Sequence, residues 1–217
     1  MNKLIIDCSY GLSLFILDEN DNVYSKIDFN QKKHTDELLL QLDELLKKAN
    51  LKIQDIDVLG VCVGPGSFTG VRVAISICKG LAINSKLKVV NMSNFDIYET
   101  GVKEYILVLE GFSSFVYTRK CVGGEIVDAC EDVKDFSEKY FENQSEFPVF
   151  VNSEKVQNML KMYKINSNIA KNATIQCFNE KIKNKNFVEL NTIEPIYLRA
   201  SQAEIERNKK LSGNNNG

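Results

Sequence analysis

Short hydrophobic runs at the start of the chain alternate with polar turn residues. The runs Lys3–Asp7, Leu12–Leu17 and 23–29 are separated by residues that favour turns, which predicts a three-stranded antiparallel meander. Residues 57–63, DVLGVCV, form a continuous β-branched run, which is typical of a strand buried on both faces of a parallel sheet. These four runs predict the first strands of the chain.

A helix is predicted between the third and fourth of these strands. Thr35 is expected to cap it, and Lys47 and Lys48 lie in its last turn, where positive charge is favourable. Leu40 falls outside its main apolar arc, as expected either of a solitary surface leucine or of a helix shared with a second chain. The side chains in that arc, which spans about 120° and is expected to face the core, are Leu38, Leu39, Leu42, Leu45, Leu46 and Ala49.

Residues 64–70, GPGSFTG, link the fourth strand to a second helix. Ser67 or Thr69 offers a hydroxyl to cap that helix, and the free amides of such a helix start can hold an anion. The turn is not a P-loop, because Val71-Arg72 stands where Lys-Ser/Thr should follow, and its glycine spacing is not GxGxxG. The residues leave open whether the turn binds an anion or is purely structural. The candidate contacts for an anion or nucleotide are Asp7, Gly64, Gly66, Ser67, Thr69 and Gly70.

The second helix is apolar almost all round. Arg72, Ser76 and Lys79 share its one narrow polar face. Such a helix is either a central core helix with a thin exposed edge or a helix whose outer side meets a second chain, and both interpretations stay open. For the second interpretation, the candidate partner interface consists of Leu40, Arg72, Ile75, Ser76, Lys79 and Ile83.

The same order of elements is predicted twice along the chain. A strand at 87–91 and a brief helix, capped by Ser93 with Asp96 and ended by Gly101, complete the first set. The second set has a hairpin turn at Gly123-Gly124. Its strands are predicted at 105–109, 114–121, 125–130 and 148–151, with one helix containing Val133, Phe136 and Tyr140 and another capped by Ser153.

Each set begins with the order βββαβα, which predicts an α/β fold of two lobes. The first lobe is expected at residues 1–102, a second, shortened lobe with a C-terminal segment at 103–211, and a disordered tail at 212–217. Residues 175–178 and 187–190 are predicted as further strands.

Charge and cysteine content limit the classes of function. The 217 residues include 27 basic and 29 acidic ones, and the net charge of −2 argues against tight nucleic-acid binding by this chain alone. No run of about 18 apolar residues occurs, and six scattered cysteines without a CxxC pair fit reduced thiols, so we expect a cytoplasmic protein without a membrane segment. His34 is the only histidine, so we expect no metal site and no Cys–His nucleophile.

Two linked βββαβα units with Asp7 at the end of the first strand resemble the actin/Hsp70/sugar-kinase (ASKHA) fold. Several segments further resemble the bacterial TsaB (YeaZ-like) family, which helps to make threonylcarbamoyladenosine on tRNA. The resemblance covers most of residues 1–100 and the C-terminal segment. The matching segments are DCS at 7–9, His34 with the leucine-rich helix after it, GPGSFTGVR at 64–72, KGLA at 79–82 and PIYLR at 195–199.

The resemblance implies a non-catalytic subunit that binds TsaD, the protein that carries the metal and transfers the threonylcarbamoyl group to the adenosine next to the anticodon. It also implies a TsaE-like ATPase in a larger complex, a homodimer when the chain is alone, and only indirect contact with tRNA. We expect no cofactor of its own, with ATP or ADP at the complex interface as the one nucleotide candidate. The second lobe departs from the family, because residues 110–114, EGFSS, stand where a DAR-like motif is usual.

Two other functions are compatible with the residues. An ASKHA-type small-molecule kinase or ATPase could use Asp7 and the 64–70 turn, although phosphoryl transfer needs phosphate loops from both lobes and carboxylates for Mg²⁺. A metalloprotease would need a zinc site, commonly with two histidines on one helix, and this chain has one histidine and no HExxH.

Overall fold

The computed structural model describes residues 1–29, 34–142, 147–161, 167–169 and 171–198. Its first sheet has the strand order β3-β2-β1-β4-β5. Strands β1, β2 and β3 pair antiparallel, which confirms the predicted meander, and β1, β4 and β5 pair parallel. Every residue of β4 is buried, as the β-branched run predicted. The five strands are β1 (Lys3–Asp7), β2 (Leu12–Leu17), β3 (Val23–Asp28), β4 (Val58–Cys62) and β5 (Lys88–Met92).

Two helices, α1 (His34–Lys48) and α2 (Phe68–Ala82), pack against the same face of this sheet. Helix α1 begins at His34, so Thr35 lies inside its first turn rather than at the cap. The predicted core arc of α1 is confirmed except at Leu39, whose side chain is 57% exposed. Leu39 stood at the edge of the predicted arc, where a small rotation of the helix decides between core and surface.

A short helix, α3 (Asn94–Ile97), follows β5 and is capped by Ser93 and Asp96 as predicted. It ends before β6 (Tyr98–Glu99), so the prediction that Gly101 ends it was wrong. The backbone N–H of Ile97 donates to the Ser93 carbonyl and closes the single turn of α3. The next residue, Tyr98, has extended backbone angles, so the helix ends there.

The second sheet repeats the topology of the first, with the order β9-β8-β7-β10-β11. Gly123 and Gly124 have φ angles of 60° and 83°, as the predicted two-residue hairpin turn requires. Helix α4 (Val133–Ser137), which continues as a π-helical turn, and α5 (Glu154–Lys161) cover one face. The strands are β7 (Tyr105–Glu110), β8 (Phe115–Val122), β9 (Glu125–Asp132), β10 (Val149–Val151) and β11 (Ser167–Ile169).

The prediction of a strand at 175–178 was wrong, because these residues lie in a helix. After β12 (Lys171–Asn172), which pairs with β6, the chain forms α6 (Thr174–Lys183). Ile175, Phe178 and Ile182 are spaced by three and four residues, and they pack against the face of the first sheet opposite α1 and α2. The fit is close, since a Cβ on Gly60 of β4 would lie 2.6 Å from the Phe178 ring.

The chain after α6 differs from the prediction. The structure forms no strand at 187–190, and Leu190–Thr192 is a 3-10 turn. Arg199 and the tail at 212–217 lie outside the described residues. In the described part of the chain, no helix is both long and apolar enough to cross a membrane.

Candidate functional site

The candidate site lies where the carboxyl ends of β1 and β4 meet. These neighbouring parallel strands end at Asp7 and just before Gly64, and the chain connections diverge from this point of the sheet. Ligands of open α/β sheets commonly bind at such a position. Ser67, rather than Thr69, caps α2, because its Oγ accepts a hydrogen bond of 3.2 Å from the backbone N–H of Gly70.

Gly66 and Gly70 hold the turn against the segment that follows β1. A Cβ at Gly66 would lie 2.6 Å from the carbonyl oxygen of Ser9, and one at Gly70 would lie 2.0 Å from that of Cys8. The backbone N–H of Ser67 also donates to the Ser9 carbonyl at 2.8 Å. The close packing against Ser9 and Cys8 explains why glycine occupies both positions without a bound anion. Anion binding at the turn stays a prediction.

Asp7 is tied to the same segment. Its carboxylate accepts hydrogen bonds from the backbone N–H of Ser9 at 2.8 Å and from the Ser9 hydroxyl at 2.6 Å. Burial raises the pKa of Asp7 above its ordinary value, and the Ser9 bonds oppose that shift only in part. Beside it, burial and the charge of Asp7 raise the pKa of the Cys62 thiol well above its usual range, which disfavours the reactive thiolate.

Asn94 is a site residue that the sequence analysis missed. It is buried, its backbone N–H donates to the Gly64 carbonyl at 2.8 Å, and its side-chain amide donates to the Pro65 carbonyl at 2.7 Å. The capping box around Ser93 predicted the short helix, but nothing local showed that its first residue would bond to a turn about thirty positions earlier.

Aromatic side chains fill the space between the two sheets beside Asp7. The Tyr10 hydroxyl donates to the carbonyl oxygen of Glu110 at 3.0 Å and thereby joins the two sheets. Burial, together with the negative charge of Asp7, raises the pKa of Tyr98 to about 12. The residues packed together here include Tyr10, Phe95, Tyr98, Leu107, Tyr117 and Phe150.

The divergent segment 110–114 lies at the equivalent position of the second sheet. The Glu110 carboxylate forms an ion pair with Lys155 and accepts a hydrogen bond from the Ser153 hydroxyl. Its backbone N–H donates to the Asn152 side chain at 2.8 Å. The one carboxylate that corresponds to Asp7 is therefore already engaged within the chain.

The residues of the candidate partner interface do not all lie on the surface. Arg72 and Ser76 are exposed, Lys79 is half-buried, and Leu40 and Ile83 are 57% and 63% exposed. Ile75 is only 5% exposed, because its side chain packs into the core between α2 and the sheet, so it cannot contact a partner. We call the remaining set, Leu40, Arg72, Ser76, Lys79 and Ile83, the outer α1–α2 surface.

Arg72 has partners within the chain that the sequence did not reveal. Its Nε donates to the Tyr197 hydroxyl at 2.6 Å, and its guanidinium carbon lies 3.7 Å from the centre of the Phe68 ring. The backbone N–H of Ile196 also donates to the Val63 carbonyl at 2.8 Å. The C-terminal segment is thus fixed beside the 64–70 turn and contributes Tyr197 to the edge of the outer α1–α2 surface.

Replacing Asp7 by asparagine is predicted to change how stability depends on pH. Because the folded pKa is raised from 3.8, the ionised carboxylate costs stability at every pH above the raised value, and this cost disappears as the pH falls toward 3.8. Wild type should therefore gain stability relative to Asp7→Asn between pH 7 and about pH 4. Urea unfolding of both proteins across this range measures the difference, and a constant difference would contradict a raised pKa.

Two cavities among the described residues do not open onto Asp7. One of about 620 Å³ is lined by Phe15 and residues of β12 and α6, and one of about 520 Å³ lies around Arg119 and the loop after β6 and borders the aromatic cluster at Phe95 and Tyr98. Neither is lined by Asp7 or by the 64–70 turn. Within the described ranges, no cluster of three histidine, cysteine or acidic side chains could hold a metal ion.

Comparison with known proteins links this fold to tRNA modification proteins. A family model described as TsaD, tRNA N6-adenosine threonylcarbamoyltransferase, matches residues 23–144. The chain is 24% identical over 216 residues to the tRNA threonylcarbamoyladenosine biosynthesis protein TsaB of Buchnera aphidicola subsp. Acyrthosiphon pisum, an alignment that covers 89% of this chain and 96% of that protein. It is 44% identical over 64 residues to the TsaB protein of Haemophilus influenzae, covering 30% of this chain and 27% of that protein.

Solved structures with the same fold include YeaZ from Pseudomonas aeruginosa. The TM-score is 0.66 with 20% identity, over 90% of this chain and 100% of that chain. A second structure from Pseudomonas aeruginosa, titled as an uncharacterized protein with similarity to peptidase YEAZ, has a TM-score of 0.69, with 20% identity over 91% of this chain and 99% of that chain. The predicted α/β fold of ASKHA type is confirmed by this similarity.

Proposed function

The chain belongs to the family of the matched TsaD model, and within it to the TsaB (YeaZ-like) proteins, and we propose that it acts in tRNA threonylcarbamoyladenosine biosynthesis as a non-catalytic subunit. In this role it binds a TsaD-like protein and supports transfer of the threonylcarbamoyl group to the adenosine next to the anticodon. The names of its relatives support the pathway.

The observation that supports partner binding most is the exposure of large apolar side chains on the outer α1–α2 surface. Leu40 and Ile83 are more than half exposed, and neighbouring Leu39 on α1 is exposed as well. Exposed apolar side chains near charges such as Arg72 and Lys79 are typical of protein–protein interfaces. Both helices lie on the same face of the first sheet, so one partner can contact both.

Two features support a non-catalytic role. The space between the sheets beside Asp7, where a kinase or ATPase of this fold would need a nucleotide cleft, is occupied by Tyr10, Tyr98 and their aromatic neighbours. The matching carboxylate of the second sheet, Glu110, is paired with Lys155 and so is not free to hold Mg²⁺. The residues of this site serve to fix the turn and join the sheets.

The proposal includes the finer assembly. When the chain is alone, the same apolar surface is uncovered, and two copies associate through it as a homodimer. In the larger complex a TsaE-like ATPase joins the pair, ATP or ADP is held at the complex interface, and the chain has no cofactor of its own. The metal belongs to the TsaD-like subunit.

Light scattering of the purified chain, alone and mixed with the TsaD-like protein of the same organism, tests this function. We expect a dimer alone and a stable one-to-one species in the mixture. The absence of a mixed species, with or without ATP and Mg²⁺, would contradict the proposal. ATP turnover by the isolated chain that Asp7→Asn abolishes would instead establish the kinase or ATPase alternative.

A further inference from the structure

Four exposed lysines lie together where α6, β5 and the end of α2 meet. Lys86 and Lys88 precede and begin β5, and Lys183 and Lys185 lie at the end of α6 and just beyond it. The backbone N–H of Val188 donates to the carbonyl of Val89 at 2.9 Å, which places the chain after α6 alongside β5. The Lys88 Nζ also lies 5.1 Å from the centre of the Phe187 ring. We call Lys86, Lys88, Lys183 and Lys185 the lysine patch.

Within the described residues, none of the four ammonium groups of the lysine patch forms an ion pair, whereas Lys47, Lys134 and Lys155 each lie within 4 Å of a carboxylate. Asp57 borders the patch through its backbone carbonyl, which accepts from the Lys88 N–H, but its carboxylate accepts from the backbone N–H of Asn2. The four lysines outnumber the neighbouring carboxylates of Glu180 and Glu189, which leaves a local positive region on a chain whose net charge is −2.

Helix ends explain only part of this arrangement. Lys183 in the last turn of α6 and Lys185 just beyond it are favourable at the negative end of that helix. Lys88 lies on a strand, where no helix dipole acts. The exposed amides of Asn184 and Asn186 between and beside the lysines add hydrogen-bond donors without adding negative charge.

We propose that the lysine patch contacts the phosphate backbone of RNA. Flexible ammonium groups around an aromatic ring and exposed amides fit a phosphate chain, which needs positive charge and donors but no base-specific geometry. The proposal rests on the proposed function for the identity of the RNA, a tRNA, and it replaces the expected indirect contact with a weak direct one. Because the patch has four lysines, the contact is salt-sensitive and not sequence-specific.

Fluorescence polarisation of labelled tRNA with the full chain tests this contact in 50 mM and 200 mM KCl. The test variant is Lys86→Glu with Lys185→Glu. We expect wild type to bind tRNA weakly at 50 mM KCl and the variant to bind about tenfold more weakly. The slope of log affinity against log salt should fall by about 1.5, the loss expected for two phosphate contacts. The variant Lys86→Gln with Lys185→Gln removes the two positive charges without adding negative ones, and it should give a smaller loss of affinity in the same direction.

A control of equal charge separates a local contact from the overall field of the protein. Lys48→Glu with Lys134→Glu changes the net charge by the same amount at exposed positions of α1 and α4, and its affinity for tRNA should stay within twofold of wild type. Equal losses in both variants, no loss in the test variant, or no tRNA binding by wild type at 50 mM KCl would each overturn the proposal. Light scattering of wild type mixed with the TsaD-like protein is measured in parallel. Loss of that association would contradict the proposed function, whereas loss of tRNA binding alone would contradict only the RNA contact.

Discussion

Replacing Gly70 by alanine is expected to destabilise the protein more than any other single methyl group added to the 64–70 turn. The new Cβ would lie 2.0 Å from the carbonyl oxygen of Cys8, and a backbone atom cannot move aside by changing rotamer. We expect a loss in the free energy of unfolding on the order of 3 kcal/mol or more, at or above the top of the usual range for overpacking. For a chain of this size that corresponds to a fall in Tm of roughly 10 °C.

Gly80→Ala in the same helix is the matched control. A Cβ at Gly80 meets no atom within 4 Å, and the residue is exposed in the last turn of α2. Here alanine should stabilise the protein by about 0.5–1 kcal/mol, because glycine loses more backbone entropy on folding. Urea unfolding followed by circular dichroism measures both variants, and equal stabilities would show that Gly70 does not pack against Cys8 as the structure has it.

Reversing the character of the outer α1–α2 surface with Leu40→Glu and Ile83→Glu is expected to abolish association with the TsaD-like protein. Both side chains are more than half exposed, so their loss removes little burial from the chain itself. In an interface, two buried and unpaired carboxylates would each cost several kcal/mol. We expect at least a hundredfold weaker binding by calorimetry or light scattering, with a thermal midpoint close to that of wild type.

The control for this surface is Ile126→Glu with Val127→Glu on the second sheet. These side chains are 59% and 56% exposed, so the change in chemistry and exposure is matched while the position differs. Association should be unaffected. If the TsaD-like protein binds the Leu40/Ile83 variant as tightly as wild type, the outer α1–α2 surface is not the interface.

The structure also changes which substitutions can test the interface. Ile75→Glu would place a carboxylate in the core, so loss of binding in that variant would report unfolding. Arg72→Glu would remove the hydrogen bond to Tyr197 and the contact with Phe68, so it alters the C-terminal segment as well as the surface. Leu40 and Ile83 avoid both problems.

The sequence alone determined the fold class and the order of the main strands and helices up to α5. Strand alternation, the capping box at Ser93 and the hairpin glycines act over a few residues, so their patterns can be seen in the chain itself. The same holds for the core side of α1, which failed only at Leu39. The helix at Thr174–Lys183 was not predicted, because its few apolar residues stand in a polar stretch of sequence. The spacing of Ile175, Phe178 and Ile182 gains its meaning only from the open face of the first sheet that they cover.

Only the tertiary structure decided what the site residues contact. Gly66 and Gly70 meet Ser9 and Cys8 across more than fifty positions of sequence, and Asn94 closes the turn from about thirty positions away. No local pattern encodes such contacts, because each depends on where strands β1, β4 and β5 end relative to one another. The burial of Ile75, like the pairing of Arg72 with Tyr197, follows for the same reason from how α2 and the C-terminal segment pack on the finished sheet.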